Sequence, residues 1–217
     1  KDHVPLNGVS GAADNAAACD SGVSNACVQL GRALASVASN LPVAKPASND
    51  FNGDNYPDIV WYNDKTGETQ VWFINVSSRI GRATIVDEGG KAILIGPPWR
   101  IVASRDFNKD TNTDLLWYND ATGAMQVWFM AESKILSRAT VLGENGSEAA
   151  IGPPWGIVGA NGMNGDGYAD IIWHNSSTGE TQLWLMNGFR VAGRATVLGE
   201  DGAPALVGLP WSIVGSD

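Results

Sequence analysis

Residues 50–58 read DFNGDNYPD, with oxygen-bearing side chains at the first, third, fifth and ninth places and a glycine between. Carboxylates this close repel one another unless a cation sits among them. Ca2+ takes about six to eight hard oxygen ligands, and a tight loop supplies them from alternate positions. The donors here would be the side chains of Asp50, Asn52, Asp54 and Asp58, with the carbonyl of Tyr56. DFNKDTNTD at 106–114 offers Asp106, Asn108, Asp110 and Asp114, with the carbonyl of Asn112. GMNGDGYAD at 162–170 departs from the pattern, because Gly162 replaces the first Asp. It keeps Asn164, Asp166, Asp170 and the carbonyl of Tyr168, and water or Asn161 would have to fill the gap. The competing reading is that Asp and Asn here serve turn geometry and cap the backbone.

The spacing that relates the three loops is 56 residues, and it extends to the whole segment. Trp61, Trp117 and Trp173 obey it, as do Trp72, Trp128 and Trp184, and Trp99, Trp155 and Trp211. Gly67, Gly123 and Gly179 follow, and so do Arg82, Arg138 and Arg194. Three ungapped copies of one unit result, 50–105, 106–161 and 162–217, and a repeat of this length fixes the architecture before any local reading.

Within a unit the apolar period is two. DIVWYN, ETQVWFIN, GRATIVDE and WRIVASRD read as four strands joined by Gly- and Asn-bearing turns, an antiparallel meander. In the first strand Ile59 and Trp61 point one way and Val60 and Tyr62 the other, so both faces are apolar and the strand belongs between layers. The expected fold class is all-β, three four-stranded antiparallel blade-like repeats, with a short helical N-terminal extension. Three blades leave an open edge, whereas propellers run to about 4–8. Two chains pairing as a homodimer would complete a ring, and residues 1–49 covering the open face is the other expectation. A β-trefoil, suggested by QVW, QVW and QLW, ranks lower because the acidic loops and two-faced strands suit blades better.

DFNGDNYPDIVWYN, with TGETQVWFIN and TGETQLWLMN, resembles the FG-GAP/VCBS-type repeat, which is similar to the repeats of integrin α-subunit heads. The resemblance covers 50–217. It implies a β-propeller with Ca2+ in the interstrand loops, and an extracellular role in ligand binding or adhesion. Some members of the family are lectins, and some are appendages of secreted enzymes.

Residues 1–49 contain no Trp, Phe or Tyr, and hold both cysteines, Cys19 and Cys27. A disulfide between them would staple an element with little core of its own and indicate an oxidising compartment. Cys27, Leu30, Leu34, Val37 and Ala38 fall at helical spacing after Asn25, and 42–49 read as a proline-containing linker. The net charge of −9 argues against nucleic acid and against an anionic membrane surface. No apolar run reaches the ~20 residues of a membrane helix. No cleavable leader is visible, as expected of a mature or trimmed secreted form.

Signals for catalysis are weak. His3 and His174 share no motif, and neither G-x-S-x-G nor H-E-x-x-H occurs. Binding fits better. Trp99, Trp155 and Trp211, each after a proline, could stand at a rim and stack on sugars or peptide side chains. Tyr62, Tyr118 and His174 occupy one repeat position that varies, as recognition positions do. A tryptophan at the same place in every repeat is otherwise a core residue. Asn75, Asn145 and Asn175 match the glycosylation sequon, relevant only in a eukaryotic secretory pathway. The expected function is a secreted calcium-binding module recognising carbohydrate or an extracellular protein. The alternative is a non-catalytic targeting or structural appendage of a larger secreted enzyme.

Overall fold

The structure is a computed structural model that describes residues 49–214. The expected disulfide and helix fall outside the described residues. Eleven strands form three antiparallel sheets, with no helix among the described residues. The first sheet holds β1 (Ile59–Tyr62), β2 (Thr69–Asn75) and β3 (Ser78–Thr84), in that order. The second runs β4 (Trp99–Arg105), β5 (Asp114–Asn119), β6 (Met125–Ala131) and β7 (Lys134–Thr140). The third runs β8 (Trp155–Asn161), β9 (Asp170–Asn175), β10 (Thr181–Asn187) and β11 (Arg190–Thr196).

The strands are where period two placed them, but the sheets do not coincide with the sequence units. WRIVASR closes the unit 50–105, yet as β4 it pairs with β5 of the next unit, Trp99 opposite Asn119 and Arg105 opposite Asp114. β8 pairs with β9 in the same way, Trp155 opposite Asn175 and Asn161 opposite Asp170. The acidic loop is the physical cause. It is short enough to fold β4 back on β5, whereas the connector 85–98 carries the chain from β3 to the next sheet. The third strand also starts earlier than GRATIVDE suggests, since β2 and β3 meet at a two-residue turn with Asn75 opposite Ser78. Each outer pair carries a bulge, between Phe73 and Ile74 in the first sheet and at matching places in the others.

Local chemistry explains the β1–β2 turn and its copies. Asn63 Oδ1 accepts the N–H of Lys65 at 3.0 Å and of Thr66 at 3.1 Å, an Asx turn. Gly67 closes it at φ 74°, and a Cβ there would lie 2.7 Å from the Ile95 backbone, so only glycine fits. Gly123 and Gly179 stand in the same bind against residues 151 and 207.

Two cores separate the three sheets. Phe51, Val71 and Ile85 meet Leu115, Trp117, Trp128, Met130 and Ile135 in the first. Leu116, Tyr118, Met125 and Val127 meet Ile171, Trp173, Trp184 and Met186 in the second. The two-faced strand expected from the sequence is therefore real in β5, whose six residues are all buried. It fails in β1, whose residues alternate between exposed and half-buried. The difference arises because no sheet covers the outer face of β1 among the described residues.

The candidate site, a row of acidic loops

Each acidic loop is wound around its own carboxylates. Asp50 Oδ1 accepts N–H groups from Gly53 at 2.7 Å and Asp54 at 3.2 Å, and Oδ2 accepts from Asn55 at 2.8 Å. Asp106 does the same for Asn108, Lys109 and Thr111 at 3.1, 2.7 and 2.9 Å. The winding needs positive φ at the fourth and sixth places. Gly53 and Asn55 supply it at 75° and 68°, Lys109 and Thr111 at 67° and 72°, and Gly165 and Gly167 at 73° and 92°. Glycine and asparagine enter this region readily, and lysine and threonine less so.

The ninth-place Asp does a different job. Asp58 accepts the Phe51 N–H at 2.8 Å on one oxygen and the Ile74 N–H at 2.9 Å on the other. Asp114 joins Phe107 and Met130 at 2.9 and 3.0 Å, and Asp170 joins Met163 and Met186 at 2.8 Å each. These carboxylates are buried, and each ties its loop to the bulged second strand of its hairpin. Burial is the main cause that pushes the Asp114 carboxyl up to about 7; Asp110 and Asp106 add to it by repulsion, while the two N–H donors oppose it. Asp58 is raised by burial first, with smaller contributions from Asp50 and Asp54.

The third- and fifth-place side chains face each other. Asn52 gives its amide N–H2 to Asp54 Oδ2 at 3.0 Å, and its Oδ1 accepts the Asp54 N–H at 3.1 Å. Asn108 with Asp110, and Asn164 with Asp166, repeat the amide–carboxylate bond at 3.0 and 2.9 Å. Asp54 Oδ1, Asp110 Oδ1 and Asp166 Oδ1 each accept the N–H two residues on, from Tyr56, Asn112 and Tyr168.

The donor types suit Ca2+, and carboxylates retain unused lone pairs after these bonds. Among the described residues no three of His, Cys, Asp or Glu converge, so a cation here would have to draw on Asn side chains, carbonyls or water as well. An N–H2 group of Asn52 points at the carboxylate that a cation would share. As arranged, the eleven Asp and Asn side chains among the expected donors act as turn caps and strand ties, the competing reading of the sequence.

The loops form a continuous row. Thr113 Oγ1 donates to the carbonyl of Asp50 at 2.9 Å, which joins the first loop to the second. Ala169 N–H donates to the carbonyl of Asp106 at 3.1 Å, and Lys109 Nζ lies 3.8 Å from the centre of the Tyr168 ring, which joins the second to the third. The Lys109–Tyr168 contact has no counterpart in the repeat pattern, so the sequence held no signal for it.

The expected aromatic ligand residues lie mostly within the fold. The Tyr62 hydroxyl lies 3.0 Å from the carbonyl oxygens of both Ile95 and Trp99 and shares its one O–H between them, and its ring meets Trp117 edge-on at 5.6 Å. Tyr118 donates to Ile151 at 2.7 Å and meets Trp173 at 6.1 Å. His174 Nδ1 stands 3.2 Å from Thr181 Oγ1. Trp99 and Trp155 open β4 and β8 and are half-buried, and Trp211 is exposed. Sequence reading missed a more open aromatic pair, Trp61 and Trp72, 4.8 Å apart and beside a hollow lined by Asn63, Asp64, Glu68 and Gln70. The repeats conceal it, since its counterparts Trp117 and Trp173 are buried.

Fold and site together define an all-β protein of successive antiparallel sheets, with an acidic loop directly before β1, β5 and β9. No family model matches the chain. No curated protein matches it. Among solved structures it is similar to a protein of unknown function from Bacteroides caccae, at 15% identity and a TM-score of 0.31, over 66% of this chain and 49% of that one. The chain thus spans about half the length of that structure. A likeness this slight fixes neither fold nor function.

Proposed function

We propose that the described region is a set of propeller-type blades of FG-GAP/VCBS kind, serving as an extracellular recognition module for carbohydrate or for another protein. The observation that carries this reading is the continuous row of three acidic loops on a repeated scaffold. Such a row presents the same chemistry several times, and multivalent engagement turns weak sites into avid ones. In this reading Ca2+ binds the first two loops and stiffens the row. Asp50, Asn52, Asp54 and Asp58, and Asp106, Asn108, Asp110 and Asp114, would hold it after the Asn52 and Asn108 amides turn their oxygens inward. A cation there would also relieve the repulsion that Asp106 and Asp110 exert on Asp114.

Metal that binds only the folded state stabilises it by mass action. Thermal melts in EDTA, then with Ca2+ or Mg2+ restored, test the metal. A melting temperature that rises with Ca2+ and little with Mg2+ supports it. An unchanged melt leaves the carboxylates as turn caps alone. A glycan array probed with the full chain tests the ligand class.

A further inference from the structure

We infer that Asn164 is a site of spontaneous covalent modification, where the backbone nitrogen of Gly165 attacks the side-chain amide and turns it into a carboxylate. The inference rests on hydrogen bonds within single loops, not on the calcium reading. Asn–Gly is the pair best suited to this chemistry, because glycine has no side chain to crowd the attacking nitrogen. The described residues hold five such pairs, at 52–53, 145–146, 161–162, 164–165 and 187–188.

The first and third acidic loops make a matched comparison. Asn52 and Asn164 both hold the third place, and the glycines that follow lie at φ 75° and 73°. Each amide gives its N–H2 to the Asp two residues on, at 3.0 and 2.9 Å. Each Oδ1 accepts the N–H of that same Asp, at 3.1 and 3.0 Å. The second bond polarises the side-chain carbonyl and steadies the negative charge that attack would place on Oδ1. Gly53 and Gly165 are both exposed, so access does not separate the two loops.

The attacking nitrogen does separate them. The Gly53 N–H is held by Asp50 Oδ1 at 2.7 Å, a short bond to a carboxylate that must break before the nitrogen can turn on the amide. Gly162 stands where Asp50 stands, and among the described residues nothing accepts the Gly165 N–H. In the second loop Lys109 replaces the glycine, and its N–H is held by Asp106 at 2.7 Å. The other pairs are also restrained. Gly146 gives its N–H to the Gly143 carbonyl at 2.9 Å, and Gly162 gives its own to Asn161 Oδ1 at 2.9 Å. Asn187 ends β10 paired with Arg190, and among the described residues no N–H polarises its amide. Of the five pairs, 164–165 alone combines an unheld nitrogen with a polarised carbonyl.

The reaction needs only water. The Gly165 nitrogen bonds to Asn164 Cγ as the Cγ–Nδ2 bond breaks, and the amide nitrogen leaves as ammonia with the proton that the Gly165 nitrogen gives up. Water then opens the cyclic imide at either carbonyl, to aspartate or to isoaspartate. One amide and one water become one carboxylic acid and one ammonia, with no oxidation or reduction. The loop changes with it. The bond from Asn164 to Asp166 is lost, and two carboxylates face each other in its place. Position 164 then adds a negative charge beside Asp166 and Asp170, in the loop that lacks the first-place Asp.

Peptide mapping by mass spectrometry tests the inference on the full chain, aged in EDTA at neutral to mildly basic pH. Position 164 should convert at least about tenfold faster than position 52, since tenfold in rate is about 1.4 kcal/mol and a hydrogen bond to a charged group is worth at least that. Gly162→Asp should supply the missing acceptor and slow position 164 to the pace of position 52. Gly162→Ala stiffens the same backbone without an acceptor and should leave position 164 fast. Melts check that both variants fold. Because the ageing is done in EDTA, the outcome is separate from whether the loops take Ca2+. Equal rates at 52 and 164 in the parent chain overturn the inference, as does a Gly162→Asp chain that converts like the parent. A Gly162→Ala chain slowed as much as Gly162→Asp overturns it too, because backbone freedom rather than the unheld N–H would then set the rate.

Discussion

The first and second sheets hold nearly the same strand sequence, and they differ in what surrounds it. IVWY in β1 is half in water, and LLWY within β5 is sealed between two cores. Burial in this molecule is therefore set by the neighbouring sheet and not by the strand's own residues. Tryptophans at one repeat position accordingly have different energetic roles. Trp117 packs on Trp128 at 4.6 Å with the edge of Tyr62 against it, whereas Trp61 has Trp72 at 4.8 Å and an open hollow beside it.

The largest expected effect tests that difference directly. Trp117→Ala should cost about 3–5 kcal/mol, the usual cost of truncating a buried aromatic. Trp61→Ala should cost less than half of that in the monomer, because about half the side chain is already in water. Denaturant titration of both variants measures the gap. Equal losses would show that Trp61 is covered in solution, and a loss that grows with protein concentration would trace the cover to a second copy.

A smaller gap separates the two classes of loop carboxylate. Asp58, Asp114 and Asp170 each satisfy two backbone N–H groups at buried positions. Replacing any of them by Ala leaves those donors without a partner, at about 2–4 kcal/mol in total. Asp54 and Asp110 cap exposed turns, so Asp54→Ala and Asp110→Ala should cost about 1 kcal/mol or less in EDTA. With Ca2+ present the two classes should converge if the cation binds. Melts of the variants with and without Ca2+ would show a fixed gap if the carboxylates are caps alone.

How far the sequence could be read follows from the same contrast. Period-two runs and the Gly- and Asn-bearing turns are local, and each was legible in one copy and reinforced by the other two, whereas the need for glycine at position 67 comes from the Ile95 backbone and was not. The pairing of β4 with β5 was not, because the repeat frame that begins at Asp50 cuts a sheet at its acidic loop. A periodic sequence fixes the repeat length but leaves its phase open, and phase decides which strands share a sheet. The exposure of Trp61 was illegible for a related reason, since it depends on which sheets flank β1 and not on the residues of β1 itself. In the acidic loops the ninth-place Asp looked like one donor among several. Only its bonds to the second strand of the hairpin, sixteen residues away in the chain, mark it as the tie that holds the loop.

The smallest effect concerns the third loop, which differs from the others at one position. Asp50 and Asp106 each collect three backbone N–H groups, and Gly162 has no side chain to do so. The third loop keeps the same winding, with Gly165 and Gly167 at positive φ. Gly162 itself is not in the left-handed region, and a Cβ there would come no closer than 3.4 Å to the Tyr168 carbonyl. Gly162→Asp therefore has room, a backbone that accepts a side chain, and donors arranged as in its siblings. Two or three new bonds at an exposed turn, together with the lost freedom of a glycine, should stabilise by about 0.5–1.5 kcal/mol in EDTA. The gain should be read as a rise in melting temperature. If the loops also take Ca2+, the rise should be larger in its presence, because the substitution restores the first-place ligand. A gain that is the same with and without Ca2+ would assign these aspartates to turn capping in all three loops, and a loss would show that the third loop is strained in a way that its matched dihedrals conceal.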